Sequence, residues 1–129
     1  MVQAAVIRVM VVDDQASMRA VIRHSLQDLG IKQVRDSGSA AAALEAIRDD
    51  RVHLIVSDYN MPDMDGLELL KAVREDDTLR RTAFIMLTGS ANRDVVQQAA
   101  ALGVNDYLVK PFATAALKEK IERVFGELS

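Results

Sequence analysis

Cysteine is absent from this chain, and aromatic residues make up only 4% of it. Without cysteine there can be no disulfides, no thiolate catalysis and no Cys-based zinc site, which fits a reducing compartment. Long apolar runs are also missing. Stretches such as Val9–Val12 and Ala40–Leu44 fall far short of the roughly 18 residues that mark a membrane-spanning helix. Met1–Ala5 has no basic segment leading into an apolar stretch, so it does not read as a secretory signal. Nor is there an excess of positive charge. The net charge is −3 with acids and bases interleaved, unlike the basic stripe of a nucleic-acid binder. Repeats, low-complexity tracts and linkers are lacking. These absences point to a cytoplasmic protein, free of membrane and nucleic acid.

What is present suits one packed domain over residues 1–129. The length is too short for two full cores, half of the residues are hydrophobic, and 27% are charged, near the globular average. Short β-branched runs alternate with helical patterns. The strand-like runs are Ile7–Val12, Gln33–Asp36, His53–Ser57, Ala83–Leu87 and Asp106–Val109. The first, third and fourth are almost continuously apolar, as parallel strands covered on both faces should be. Between them, Met18, Val21, Ile22, Ser25, Leu26 and Leu29 follow helical spacing up to Gly30, a helix C-terminal cap. A second helix starts at the N-cap Ser39 and keeps Ala40, Ala43, Leu44 and Ile47 on one face. A third covers Gly66–Glu75, and a fourth Ala91–Leu102, stopping at Gly103. The last carries Leu117, Ile121, Val124 and Leu128 on one stripe. The alternation predicts a doubly wound α/β fold with a five-stranded parallel sheet.

Ligands of such sheets sit beyond the carboxyl ends of the strands. There the chain places Asp13-Asp14, then Asp58 followed by Tyr59-Asn60, then Thr88, then Lys110-Pro111. Asp36 ends the second run but belongs at a sheet edge and is left out of this set. Clustered carboxylates in a partly dry cleft repel one another, and a divalent cation relieves the conflict. All-oxygen ligands favour Mg²⁺ over softer metals. A carboxylate beside that ion can act as the nucleophile in phosphoryl transfer. Lys110 supplies a positive charge and Thr88 a hydroxyl for the phosphoryl oxygens.

Taken singly, each feature has a plainer explanation. Asp-Asp after a strand is usually a turn or cap, a strand-end Thr usually caps a helix, and Lys-Pro is usually a surface turn. Joint placement at one end of one sheet overrides those explanations for the main set. Elsewhere they stand: Asp63 and Asp65 are turn and N-cap residues, His24 and His53 are structural or solvated, and Arg80-Arg81 is a solvated loop.

The pattern Val11-Val12-Asp13-Asp14, Asp58-Tyr59-Asn60-Met61-Pro62-Asp63-Met64-Asp65-Gly66, Leu87-Thr88 and Lys110-Pro111-Phe112 resembles the receiver domain of two-component response regulators, and its chemotaxis branch in particular. The resemblance spans essentially the whole chain. It implies the flavodoxin-like (β/α)5 fold with strand order 2-1-3-4-5. It further implies Asp58 as phospho-acceptor, with Asp14, Asp58 and the Asn60 carbonyl holding Mg²⁺ and Asp13 acting through metal-bound water. Thr88 and Lys110 would contact the phosphoryl group, and the Lys110–Pro111 bond would be cis. Tyr107 matches the family's aromatic switch, and the output face would present Ala91, Arg93, Val96, Tyr107, Val109 and Lys120.

Two departures stand out. Tyr59 replaces the Trp usual in the chemotaxis branch, and Gly89-Ser90 follows Thr88 where Ala and an acidic residue are common. The smaller Gly89 implies easier water entry and faster autodephosphorylation. Because the last helix ends near Ser129, the expectation is a receiver with no output domain, acting as a monomer through its own surface. Its donor would be a histidine kinase, and its partner a flagellar motor switch component or, as a relay or phosphate sink, a histidine phosphotransfer protein. A Mg²⁺-dependent hydrolase with an Asp nucleophile is the weaker alternative. Such enzymes need a second Asp two residues on, where this chain has Asn60.

Overall fold

The computed structural model describes residues 2–89 and 93–129. Among them, strands β1 (Arg8–Val12), β2 (Gln33–Ser37), β3 (Leu54–Asp58), β4 (Ala83–Thr88) and β5 (Asp106–Val109) alternate with helices α1 (Ala16–Asp28), α2 (Ala40–Asp49), α3 (Gly66–Glu75), α4 (Arg93–Ala101) and α5 (Thr114–Phe125). All pairings are parallel and the strand order is β2-β1-β3-β4-β5, that of a flavodoxin-like fold. The doubly wound sheet expected from the alternation is the one observed.

Period-2 alternation along the central strands divides the core in two. Val9, Val11, Leu54, Val56, Ile85 and Leu87 pack with Ile22 and Leu26 of α1 and Leu117 and Ile121 of α5. Met10, Val12, Ile55, Phe84 and Met86 point the other way, toward Ala43, Leu44 and Ile47 of α2, Leu70 and Val73 of α3, and Val95 and Ala99 of α4. Every residue of β3 and β4 is buried, which is why those runs are continuously apolar. Each large side chain so buried contributes roughly 1.5–3 kcal/mol.

Helix ends follow local chemistry. The Ser39 hydroxyl accepts the Ala42 N–H at 3.2 Å and starts α2. At α3, Asp65 accepts the Glu68 N–H at 2.9 Å while Glu68 accepts the Asp65 N–H at 3.1 Å, a complete capping box. The residue before it in this role, Asp63, sits at φ 67°, a turn conformation that Asp tolerates. Gly30 and Gly103 follow α1 and α4, as expected.

Three expectations need correction. Strand boundaries move by one residue, so that β3 runs from Leu54 to Asp58 rather than starting at His53. His53 instead stands just before β3, its Nδ1 accepting the Arg8 N–H at 2.9 Å. Val21 matches the helical spacing of α1 but is 53% exposed, because it falls on the rim of the stripe rather than over the sheet. Leu128 is not helical: α5 stops at Phe125 because Gly126 adopts φ 93°. The chain then turns back, and Leu128 pairs with Val2, with Ser129 and Ala4 also joined through the backbone. A short 3-10 turn, Ala4–Val6, precedes β1 and had no signal in the spacing. The expected start of the fourth helix at Ala91 lies outside the described residues.

Arg74, on the last turn of α3, is half-buried without a carboxylate. Its guanidinium donates to the carbonyls of Arg80, Thr82 and Gly103 and to Asn105 Oδ1, at 2.6–3.1 Å, using all its N–H groups. Asn105 Oδ1 also accepts the Phe84 N–H at 2.8 Å, so one side chain joins α3 to the starts of β4 and β5. Burial holds the Arg74 pKa below its ordinary value, and the carbonyls compensate. Arg74→Met leaves those carbonyls without their donor and is expected to cost about 2–4 kcal/mol. A fall in urea midpoint at unchanged m-value checks this. Arg74→Lys recovers only part, since an ammonium cannot reproduce the planar fork.

Candidate functional site

The strands end together at one edge of the sheet. Val12 lies opposite Ser57, Asp58 opposite Leu87, and Thr88 opposite Val109. That register sets Asp13 level with Asp58 and puts Lys110 one step beyond Thr88. The apolar strands carry these polar ends into the interior: Asp13 is fully buried, Asp58 is 6% exposed and Thr88 5%, while Asp14 faces solvent.

Negative charge is crowded here. One carboxylate oxygen from each of Asp13, Asp14 and Asp58 lies within 4.8 Å of the others. Lys110 Nζ stands 3.0 Å from Asp58 Oδ1 and 3.5 Å from Asp13 Oδ2. Asp13 Oδ1 accepts the Gln15 N–H at 2.9 Å, which combines the turn role of an Asp after a strand with membership of the cluster. Asp13 Oδ2 is buried and has no hydrogen-bond donor. Burial pushes the Asp58 carboxyl up from its ordinary range. Lys110 opposes this through its hydrogen bond and its charge, Asp13 adds to it, and the Asn60 backbone opposes it weakly.

Asp14, Gln15, Asp58, Asn60, Met61, Pro62, Gly89 and Lys110 line the open cleft above the cluster. The residues present fit a hard divalent cation. The donors are all oxygens, and among the described residues one buried Asp13 oxygen makes no hydrogen bond, with the Lys110 ammonium 3.5 Å away. Gly66, where α3 begins, is tightly enclosed. A Cβ there would meet the Asp58 carbonyl oxygen and Met86 Sδ at 2.6 Å, so only glycine allows α3 to start directly beneath the Asp58–Tyr59 backbone. The sequence reading treated Gly66 only as a helix start.

The structure thus brings together Asp13, Asp14, Asp58, Asn60 and Lys110, with Thr88 buried at the end of the neighbouring strand and the Lys110–Pro111 bond cis. The remaining candidates lie on a separate face. Tyr107 and Val109 are exposed on β5, Arg93 opens α4 exposed, and Val96 is half-buried. Lys120 Nζ is 3.3 Å from Asp106 Oδ1 and 5.8 Å from the centre of the Tyr107 ring, a cation–π arrangement. Ala91 lies outside the described residues. Asp36 sits at the edge, as expected, paired with Arg19 at 3.0 Å and Arg23 at 2.7 Å. Sequence spacing missed Asp106, which also pairs with Arg123 at 3.4 Å, and Arg19; nothing local marks either as part of a network.

Fold and site together define a doubly wound α/β domain with an acidic cleft at the carboxyl ends of its strands. The chain belongs to the response regulator receiver domain family, which matches residues 9–122. It is similar to the "Probable chemotaxis protein CheY" of Rhizobium etli, 42% identical over 95% of each chain. It also resembles the chemotaxis protein CheY of Pseudomonas aeruginosa, 40% identical over 95% of this chain and 98% of the relative. Among solved structures, the chemotaxis response regulator CheY4 of Vibrio cholerae superposes with a TM-score of 0.83 at 36% identity, covering 92% of this chain and 98% of that one. No described helix is long and apolar enough to cross a membrane.

The raised Asp58 pKa makes a signed prediction. A carboxyl whose folded pKa lies above its unfolded value contributes stability below the unfolded value and loses it as pH rises through the folded one. In metal-free buffer, Asp58→Asn is therefore expected to be more stable than the parent at pH 7. The gain should vanish as the pH falls to the ordinary Asp value of 3.8. Urea midpoints of both proteins across that range check the crossover; a constant difference would contradict it.

Proposed function

We propose that this protein is a stand-alone phospho-acceptor switch of a two-component pathway, acting in chemotaxis. A histidine kinase donates the phosphoryl group and Asp58 receives it. The observation that carries the reading is Lys110, whose ammonium is shared by Asp58 and Asp13 at the mouth of a cleft that Asp14 and Asn60 complete. Relatives named chemotaxis protein CheY support the pathway. The cytoplasm and a monomeric state fit the same reading.

In the transfer, an Asp58 carboxylate oxygen attacks phosphorus. A new O–P bond forms as the donor's P–N bond breaks, and the departing imidazole nitrogen takes up a proton. Burial dehydrates the attacking carboxylate, and Lys110 both orients it and offers its charge to the incoming oxygens. The Thr88 hydroxyl would donate to another phosphoryl oxygen. Asp14, Asp58 and the Asn60 carbonyl would hold Mg²⁺, with Asp13 acting through bound water. The ion supplies charge neutralisation for the crowded oxygens.

Output follows as a population shift between two packings. In the arrangement described, Tyr107 is 37% exposed with Lys120 beside its ring. Movement of Thr88 toward a phosphoryl group would open space inward for that ring. A partner that distinguishes the two faces formed by α4, β5 and α5 then reads the state of Asp58.

The acceptor role is tested by intact mass after incubation with a small phosphodonor and Mg²⁺. The parent should gain one acid-labile phosphoryl group and Asp58→Asn none; an unmodified parent rejects the reading. In the same assay Gly89→Ala should lengthen the phosphorylated lifetime, since an added Cβ meets nothing within 4 Å and only narrows water access. An unchanged lifetime rejects that role for Gly89.

The output role is tested by pull-down with a flagellar motor-switch peptide, with and without a phosphoryl mimic on Asp58. Binding strengthened by the mimic supports the switch. Exchange with a histidine phosphotransfer protein and no peptide binding would make the chain a relay or phosphate sink instead.

A further inference from the structure

The Asp14 carboxylate is exposed and, among the described residues, has no hydrogen bond or ion pair of its own. Its place in the acidic cluster therefore depends on the backbone that carries it. That backbone is held at three points. The Asp13 N–H donates to the Ser37 carbonyl at 3.2 Å. Asp13 Oδ1 accepts the Gln15 N–H at 2.9 Å. The Asp13 carbonyl, which belongs to the peptide joining Asp13 to Asp14, accepts from an Arg19 terminal nitrogen at 2.8 Å.

The third contact comes from outside the site. Arg19 rises from the second turn of α1, and its Nε donates to Asp36 Oδ2 at 3.0 Å on the edge strand β2. Asp36 is fixed in turn by Arg23 at 2.7 Å, and Arg23 also donates to the Val34 carbonyl at 3.2 Å. Gly38 leaves room for the Arg19 head: a Cβ there would stand 3.3 Å from the same terminal nitrogen. The guanidinium thus spans a carboxylate and a carbonyl in one plane, a task for its rigid fork rather than for an ammonium.

We infer that Arg19 is a positioning residue for the metal site. By fixing the Asp13–Asp14 peptide from behind, it sets where the Asp14 carboxylate projects. The inference rests on the proposed Mg²⁺-dependent reading of the acidic cluster. Groups that orient a metal's ligands typically change affinity by about tenfold or more when removed.

The sign of the effect separates positioning from simple electrostatics. Removing a cation near three carboxylates should tighten a divalent ion if charge alone mattered. Loss of positioning weakens it. Arg23→Gln provides the control, because Arg23 holds Asp36 but does not touch the Asp13 carbonyl.

The experiment is calorimetric titration of the folded proteins with Mg²⁺ alone, accompanied by urea unfolding and by the Asp14 amide shift in NMR spectra. Arg19→Gln is expected to weaken Mg²⁺ about tenfold and to move the metal-free Asp14 amide. Arg23→Gln should lose stability while keeping its Mg²⁺ affinity within about twofold of the parent. Arg19→Lys, which retains charge without the fork, should fall between, and it serves where the Gln variant folds poorly. Parental or tighter affinity in both Arg19 variants overturns the inference, as does equal weakening in Arg23→Gln. A parent that binds no Mg²⁺ would sink the underlying reading of the site as well.

Discussion

Asp13 and Asp58 are both buried at one sheet edge, and they share a single ammonium, that of Lys110, at 3.5 and 3.0 Å. Two buried carboxylates facing one cation leave a deficit of positive charge, in a setting where water cannot make it up. Burial raises the Asp58 pKa, and Asp13 Oδ2 makes no hydrogen bond among the described residues, with the Lys110 ammonium 3.5 Å away. An edge that holds this arrangement is poised for something positively charged, and then for the phosphoryl oxygens that such a charge attracts. The cost of keeping it is met by the apolar strands behind it. β3 and β4 are buried throughout and end in Asp58 and Thr88.

The same strands explain why so much of the fold was legible in the amino-acid order. A fully covered parallel strand has to be apolar at nearly every position, and a helix over it has to repeat at 3.6 residues. Val9–Val12 and Leu44–Ile47 are therefore readable without coordinates. The site was legible for a related reason: its members sit at strand ends, with Asp13 and Lys110 just after Val12 and Val109 and Thr88 closing β4.

What could not be read depends on reach. Arg74 bonds to Gly103, 29 positions away, and Arg19 bonds to Asp36, 17 positions away. Nothing in either neighbourhood distinguishes these arginines from solvated ones, because the long side chain chooses a partner only once the sheet order is set. Gly66 starts α3 as its spacing predicts, but its need to be glycine could not be read, because the atoms that exclude a Cβ belong to Asp58 and Met86, on different strands. Leu128 satisfied the helical spacing by coincidence, and the positive φ of Gly126 redirected it to Val2. Val21 fits the same spacing and is exposed, since spacing defines a face but not how wide the covered part of that face is.

Lys110 and Tyr107 lie three residues apart, with Tyr107 on β5 and Lys110 at its end, and each is tied to a different acidic partner. Lys110 is drawn toward Asp13 and Asp58, while Tyr107 has beside its ring a Lys120 that Asp106 holds at 3.3 Å; Asp106 also accepts the Tyr107 N–H at 2.9 Å. Asp106 therefore anchors the strand, the lysine and the outward ring at once. A phosphoryl group on Asp58 would bring new oxygens to Lys110 and change the pull on one end of β5, while the Asp106 network resists at the other. The strand is short, and the Lys110 N–H that follows it donates to the Thr88 carbonyl at 2.7 Å, which ties the end of β5 to β4. The residues proposed as acceptor contact and as surface switch are thus joined through one short strand.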